Sequence, residues 1–172
     1  MTFSKKYSII NIYEKILANF IGEKMKIYTD GSARGNPGPG GFGIVVCDDK
    51  DNIIYTYSKM SEKETTNNEQ EMLAVIFAAA RYGHNIPPPQ VYCDSAYVVN
   101  SFNTWIFNWV ANDWKKSNNK PPENLDLIKF YYSLIKSGFK IDLIKIKGHS
   151  GNKYNELADK LAKGEEIKKE KY

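Results

Sequence analysis

Apolar residues recur at helical spacing over residues 8–21, where Ile9, Ile10, Tyr13, Ile16, Leu17, Phe20 and Ile21 share a face and Gly22 stands just past the end. The spacing predicts an amphipathic helix ahead of the main domain. Apolar runs bounded by turn residues then predict three strands, Lys24 to Thr29, Gly41 to Cys47 and Ile53 to Ser58, joined as an antiparallel meander. A helix follows from Asn68 to Tyr82, with Thr66 and Glu69 at capping-box spacing before it and Gly83 and Pro87 to Pro89 after it. Next comes a short strand, Gln90 to Cys93. Because a whole helix separates it from the meander, it should run parallel to an earlier strand through a right-handed crossover.

Residues 95–112 predict two short helices, and Asp113 to Glu123 an exposed polar loop. Asn124 reads as the cap of another helix that ends at Gly138 and turns Leu125, Ile128, Tyr132 and Ile135 toward the core. A last strand spans Lys140 to Lys147, and a last helix runs from Tyr154 to Lys163. The fold class is α/β. The chain divides into an N-terminal helical extension over residues 1–23, one domain over residues 24–163 and a charged tail over residues 164–172. At 172 residues and 42% hydrophobic content, one core is affordable and two are not.

Composition adds little on function. Lys plus Arg number 24 against 20 Asp plus Glu, a net charge of +4 that leans toward polyanionic partners without naming one. Cys47 and Cys93 sit in apolar strand runs and read as reduced core thiols of a cytoplasmic protein, not as a disulfide framework or metal site. The longest apolar stretch, Met72 to Ala80, is a buried helix and far short of a bilayer span. Asn11, Glu14 and Lys15 interrupt the apolar segment near the N-terminus, so no export signal is expected.

The chemistry lies in the acids. Two predicted strands end in aspartate, Asp30 and Asp94. Parallel pairing would set them side by side at the carboxyl edge of the sheet, where ligand sites of α/β folds form. Neighbouring strands are about 4.8 Å apart, so the two carboxylates repel unless a proton or cation lies between them. Oxygen donors without a His or Cys cluster favour magnesium or manganese over zinc. Glu71 and Asp159 fall on helices that can reach the same edge; either alone reads equally as a solvated charge or helix-start residue.

Tyr28-Thr29-Asp30-Gly31-Ser32, Gly35-Asn36-Pro37-Gly38-Pro39-Gly40-Gly41, Thr65-Thr66-Asn67-Asn68 followed by Glu71, Asp94-Ser95 and Lys147-Gly148-His149-Ser150-Gly151 occur in this order. Together they resemble type 1 ribonuclease H over residues 24–163. The resemblance implies a five-stranded mixed sheet flanked by helices, here with an extra N-terminal helix. It also implies endonucleolytic hydrolysis of the RNA strand of RNA/DNA hybrids, leaving 5′-phosphate and 3′-hydroxyl ends. Asp30, Glu71, Asp94 and Asp159 match the family's metal-binding acids, which hold two Mg2+ ions during catalysis, with Mn2+ as a substitute. His149 matches a mobile histidine that assists proton transfer or product release, a role that suits an imidazole.

The same resemblance assigns substrate contacts. Asn36, Asn67 and Asn68 match residues near the minor groove, where amides both donate to and accept from the 2′-hydroxyl that distinguishes RNA. Thr66 and Asn124 match residues that grip a DNA-strand phosphate, although each also suffices as a helix cap. Ser95 belongs with the Asp94-Ser95 motif. Trp105, Trp109 and Trp114, with Lys115, Lys116 and Lys120, match a substrate-handling protrusion, yet the spacing of Trp105 and Trp109 favours plain packing. Asp113 to Glu123 carries three lysines against two acids, a weaker basic protrusion than the family's strongly basic examples; Lys136, Lys140, Lys145 and Lys147 would share its electrostatic work. Ala96 and Glu69 also depart from the family pattern.

Two other readings compete. A catalytically silent binder of hybrid or double-stranded RNA would have lost at least one metal acid, and all four are present. An interaction module would use the apolar face of residues 9–21 for a partner or for self-association; the expectation is a monomer with that face packed on its own domain, and no membrane association.

Overall fold

In the computed structural model, which describes Gly22 and residues 24–165, the predicted meander is present. β1 (Lys26–Ala33), β2 (Gly40–Cys47) and β3 (Ile53–Met60) pair antiparallel in chain order. After α1 (Asn67–Tyr82) the chain returns as β4 (Gln90–Cys93), parallel to β1, and β5 (Asp142–Lys145) is parallel to β4. The sheet order is β3-β2-β1-β4-β5, the mixed five-stranded arrangement expected. The helix predicted over residues 8–21 and the tail beyond residue 165 lie outside the described residues.

β2 reads as a continuous apolar run because it is covered from both sides. Ile44 and Val46 join Ile27, Met72 and Val75 in the larger core, whereas Val45 and Cys47 join Tyr28, Tyr154, Ala158 and Leu161 in the smaller one. The larger core lies between the sheet and α1, α2 (Ala96–Asn100), α3 (Ile106–Ala111) and α4 (Leu125–Lys136). The smaller lies beneath α5 (Lys153–Ala162). β3, an edge strand, alternates half-buried Ile53, Tyr55 and Tyr57 with exposed Ile54, Thr56 and Ser58. Cys47 and Cys93 are both buried free thiols. Among the described residues, no helix is long and apolar enough to cross a membrane.

Several local expectations need correction. Residues 95–112 do not break into two separate helices; α2 and α3 are joined by a π-helical turn, Ser101–Trp105. Trp109 is buried and Trp105 is 37% exposed, yet both pack as expected, the Trp105 ring lying 6.0 Å from Tyr97 and 5.9 Å from Trp109. Asn124 precedes α4 in the left-handed region, φ 55°, and makes no side-chain capping bond. The core face of α4 carries Ile128 as expected, with Tyr132 and Ile135 partly buried against the core, but its most buried members also include Tyr131, which stacks on Phe102 at 4.0 Å, and Leu134. Finally, Thr66 does cap α1, accepting from the Glu69 amide at 3.2 Å, but Glu69 does not close the box: its carboxylate accepts from Thr65 Oγ1 at 2.7 Å.

Candidate active site

The last paired residues of the β1/β4 ladder are Thr29 and Cys93, which leaves Asp30 and Asp94 as neighbours where β4 ends. Glu71 comes to them from the second turn of α1. Carboxylate oxygens of Asp30, Glu71 and Asp94 all lie within 4.8 Å of one another. Two glycines make this possible. A methyl group on Gly31 would run into the backbone of Gln70 and Glu71, so only glycine lets α1 lie this close to β1. Gly43, paired with Asp30 across β1 and β2, admits the backbone of α5 at Ala158 in the same way on the other face.

Crowding three acids has an electrostatic cost. Burial, then the charges of Asp94 and Asp159, pushes the Asp30 carboxyl up to about 8, although the Gly31 N–H, donating at 2.8 Å, and Lys163 act against the shift. Burial and the charges of Asp30 and Asp94 hold Glu71 well above the usual carboxylate range. Beneath it, the Cys93 thiol donates to Glu71 Oε2 at 3.6 Å; burial and Glu71 keep that thiol protonated, so it serves as a donor and not as a ligand. The donor set is thus three carboxylates short of positive charge. Oxygen-only donors of this kind fit a hard divalent cation.

Asp159 is not in the three-acid group. It projects from α5, close enough for its charge to act on Asp30, and its Oδ2 pairs with Lys163 Nζ at 2.6 Å. One turn earlier on the same helix, buried Asn155 donates through Nδ2 to Asp94 Oδ2 at 3.2 Å. Neither Asn155 nor Lys163 was singled out from sequence. The signal was present: residues 155, 159 and 163 are spaced by four and form one stripe on a helix. His149 is exposed in the left-handed region, φ 48°, and follows Gly148, where a methyl group would stand 2.5 Å from Asp94 Oδ2. The histidine loop therefore abuts the acid cluster.

The expected substrate residues divide by position. The β1–β2 loop carrying exposed Asn36 is fastened to the start of α1 by two bonds, Gly38 N–H to Thr65 O at 2.9 Å and Thr65 N–H to Gly38 O at 2.8 Å. Asn67 Oδ1 accepts from the Ala33 amide at 2.6 Å, which ties the same helix start to the end of β1. Asn36, Thr66, Asn67 and Asn68 thus line one rim. Ser95 caps α2, its Oγ accepting from Val98 N–H at 3.4 Å. Asn124 stands just before α4 and follows Glu123, which with Tyr97, Trp105, Trp109, Lys115 and Lys116 walls a cleft of about 780 Å³.

Comparison with known proteins agrees with this arrangement. The RNase H family model matches residues 22–166. A ribonuclease H of Caldanaerobacter subterraneus subsp. tengcongensis is 42% identical over 152 residues, covering 86% of this chain and 93% of that protein. Ribonuclease HI of Rickettsia prowazekii is 42% identical over 140 residues, 81% of this chain and 88% of its own. Among solved structures, the PFV RNase H domain superposes with a TM-score of 0.71 at 29% identity, covering 83% of this chain and 93% of that one. LC11-RNase H1, solved in complex with an RNA/DNA hybrid, gives 0.60 at 26% identity, with 83% and 96% covered.

Proposed function

The chain belongs to the ribonuclease H family, enzymes that hydrolyse the RNA strand of RNA/DNA hybrids, and we propose that Asp30, Glu71, Asp94 and Asp159 carry this reaction with magnesium. The observation that carries the reading is the meeting of three carboxylates from two parallel strands and a helix within 4.8 Å, with Asp30 and Glu71 both pushed up by burial and by like charge. Held by these four carboxylates, two Mg2+ ions, or Mn2+ in their place, would supply activation of the attacking water and stabilisation of the leaving 3′ oxygen.

The protein's own residues prepare that chemistry. Gly31 N–H and Asn155 Nδ2 hold one oxygen each of Asp30 and Asp94, which fixes where their remaining lone pairs point. Cys93 does the same for Glu71. Asp159 supplies a fourth carboxylate from α5. His149, exposed in the loop that abuts Asp94, carries protons between the site and solvent or helps product leave. Asn36, Asn67 and Asn68 meet the minor groove and its 2′-hydroxyls; Thr66 and Asn124 meet phosphates of the DNA strand, and Ser95 fixes the chain after Asp94. The products are 5′-phosphate and 3′-hydroxyl ends. Buried free thiols at Cys47 and Cys93 support a reducing, cytoplasmic setting.

End-labelled RNA/DNA hybrid, duplex RNA and duplex DNA, each incubated with magnesium or with chelator, test the proposal. Only the hybrid should be cut, only with metal, and Asp94→Asn should lower the rate by about a thousandfold or more. Cleavage in chelator, or undiminished cleavage by the variant, would sink the metal assignment.

A further inference from the structure

The acid site contains its own cation. Lys163 stands four residues after Asp159 on α5, and its ammonium lies 2.6 Å from Asp159 Oδ2. The pair is not an ordinary surface contact, because the Asp159 side chain is only 19% exposed. The Lys163 charge also reaches Asp30, which it draws downward against burial and the neighbouring acids. In return, the bond to Asp159 keeps Lys163 protonated. One ammonium therefore offsets two carboxylates of the site, and the carboxylate it holds directly is the one left out of the three-acid group.

We propose that Lys163 is a counter-ion standing in for a metal ion: it holds Asp159 until a divalent cation recruits that carboxylate, and so sets the cation concentration at which the fourth acid joins the site. This rests on the reading of the four acids as metal ligands. Even if the metal takes the Oδ1 that Lys163 leaves open, a divalent charge would then stand within a few ångströms of the ammonium on Oδ2, so recruitment of Asp159 is opposed by Lys163 and weakens its hold. A partly exposed ion pair of this type opposes that step by an amount equivalent to about twofold to fivefold in affinity. The affinity lost is matched by a gain without metal, where the ammonium relieves repulsion among the acids.

Calorimetric titration of Mn2+ and Mg2+ into the full chain tests this without any turnover. Lys163→Met should tighten the weaker binding step by about twofold to fivefold, and Lys163→Gln, a second neutral variant, should do the same. Lys163→Arg, which keeps the charge, should titrate as the parent does. In an Asp159→Asn background the lysine substitution should have no further effect. Without metal, Lys163→Met should melt below the parent. Lys160→Met is the control, since Lys160 is an exposed lysine in the last turn of the same helix; it should leave the weaker step unmoved. Unchanged or weaker binding by Lys163→Met, or an equal gain with Asp159→Asn present or from Lys160→Met, overturns the counter-ion role. If the parent chain binds no divalent cation at all, the metal reading of the acids falls instead.

Discussion

Gly31 lies against the peptide between Gln70 and Glu71, with no room for a methyl group between strand and helix. That contact sets how far α1 stands from β1, and hence where the Glu71 carboxylate meets Asp30 and Asp94. Gly31→Ala must push the first turns of α1 outward. The expected cost is about 1–3 kcal/mol of stability from overpacking. Because Glu71 moves with the helix, kcat should fall by about a hundredfold with KM little altered. Urea unfolding and steady-state kinetics check the two parts separately; full activity in a destabilised Gly31→Ala would show that Glu71 needs no such exact placement.

The acid cluster predicts a specific pH dependence for the metal-free protein. Asp30 titrates at about 8 in the fold and near the ordinary value of about 4 when unfolded. Between those values the folded chain keeps a proton that the unfolded chain has released. Stability is therefore present below about pH 4 and is lost as pH rises through about 8. Glu71, also pushed upward, adds to the loss. With chelator present, Asp30→Asn should be more stable than the parent by a few kcal/mol at about pH 9 and by little at about pH 4. Added Mn2+ should stabilise the parent and do much less for the variant. Parallel stability curves for the two proteins would contradict the electrostatic account.

Sequence made the sheet legible because its strands differ in how they are buried. β2 is apolar throughout and covered on both faces, while β3 alternates at an edge. Asp30 and Asp94 were readable as neighbours from one crossover, but only Asp94 stands at a strand end: β1 runs past Asp30 to Ala33 because β2 goes on pairing with it where β4 stops. Glu71 entered through a motif, since no local pattern says how closely α1 approaches Gly31. Asp159 shows the limit more sharply. The motif groups it with the other acids, but its ion pair with Lys163 depends on side-chain geometry at the end of α5. The π turn over Ser101–Trp105 illustrates a further limit, because apolar spacing cannot reveal where such a turn lies.

Asn124 separates a structural role from a substrate role. It occupies the left-handed region at φ 55° and makes no side-chain capping bond, so its backbone serves the fold and its amide does not. Asn124→Gly tolerates that backbone and should leave stability within about 1 kcal/mol of the parent. Binding of hybrid should nonetheless weaken by about tenfold, the loss of one phosphate contact. Asn124→Ala should weaken binding equally and also cost about 1–2 kcal/mol of stability, from the left-handed strain. Filter binding in Ca2+ and thermal unfolding read the two effects; unaltered hybrid affinity in both variants would remove Asn124 from the interface.

His149 can be divided in the same way, into a backbone and an imidazole. Its φ of 48° is one that glycine adopts without strain, and Gly148 before it backs onto Asp94. His149→Gly should therefore keep or raise stability by up to about 1 kcal/mol, whereas His149→Ala should lose none of the backbone cost already present. If the imidazole moves protons or releases product, both variants should lose turnover by about a hundredfold while still cleaving the hybrid, because the carboxylates remain in place. Divalent-cation affinity should be the same in all three proteins, as no atom of His149 belongs to the acid group. Single-turnover and steady-state rates, measured across pH, locate the loss: a change confined to steady-state turnover assigns His149 to product release, a change in both assigns it to proton transfer, and unaltered rates in both variants would exclude either role.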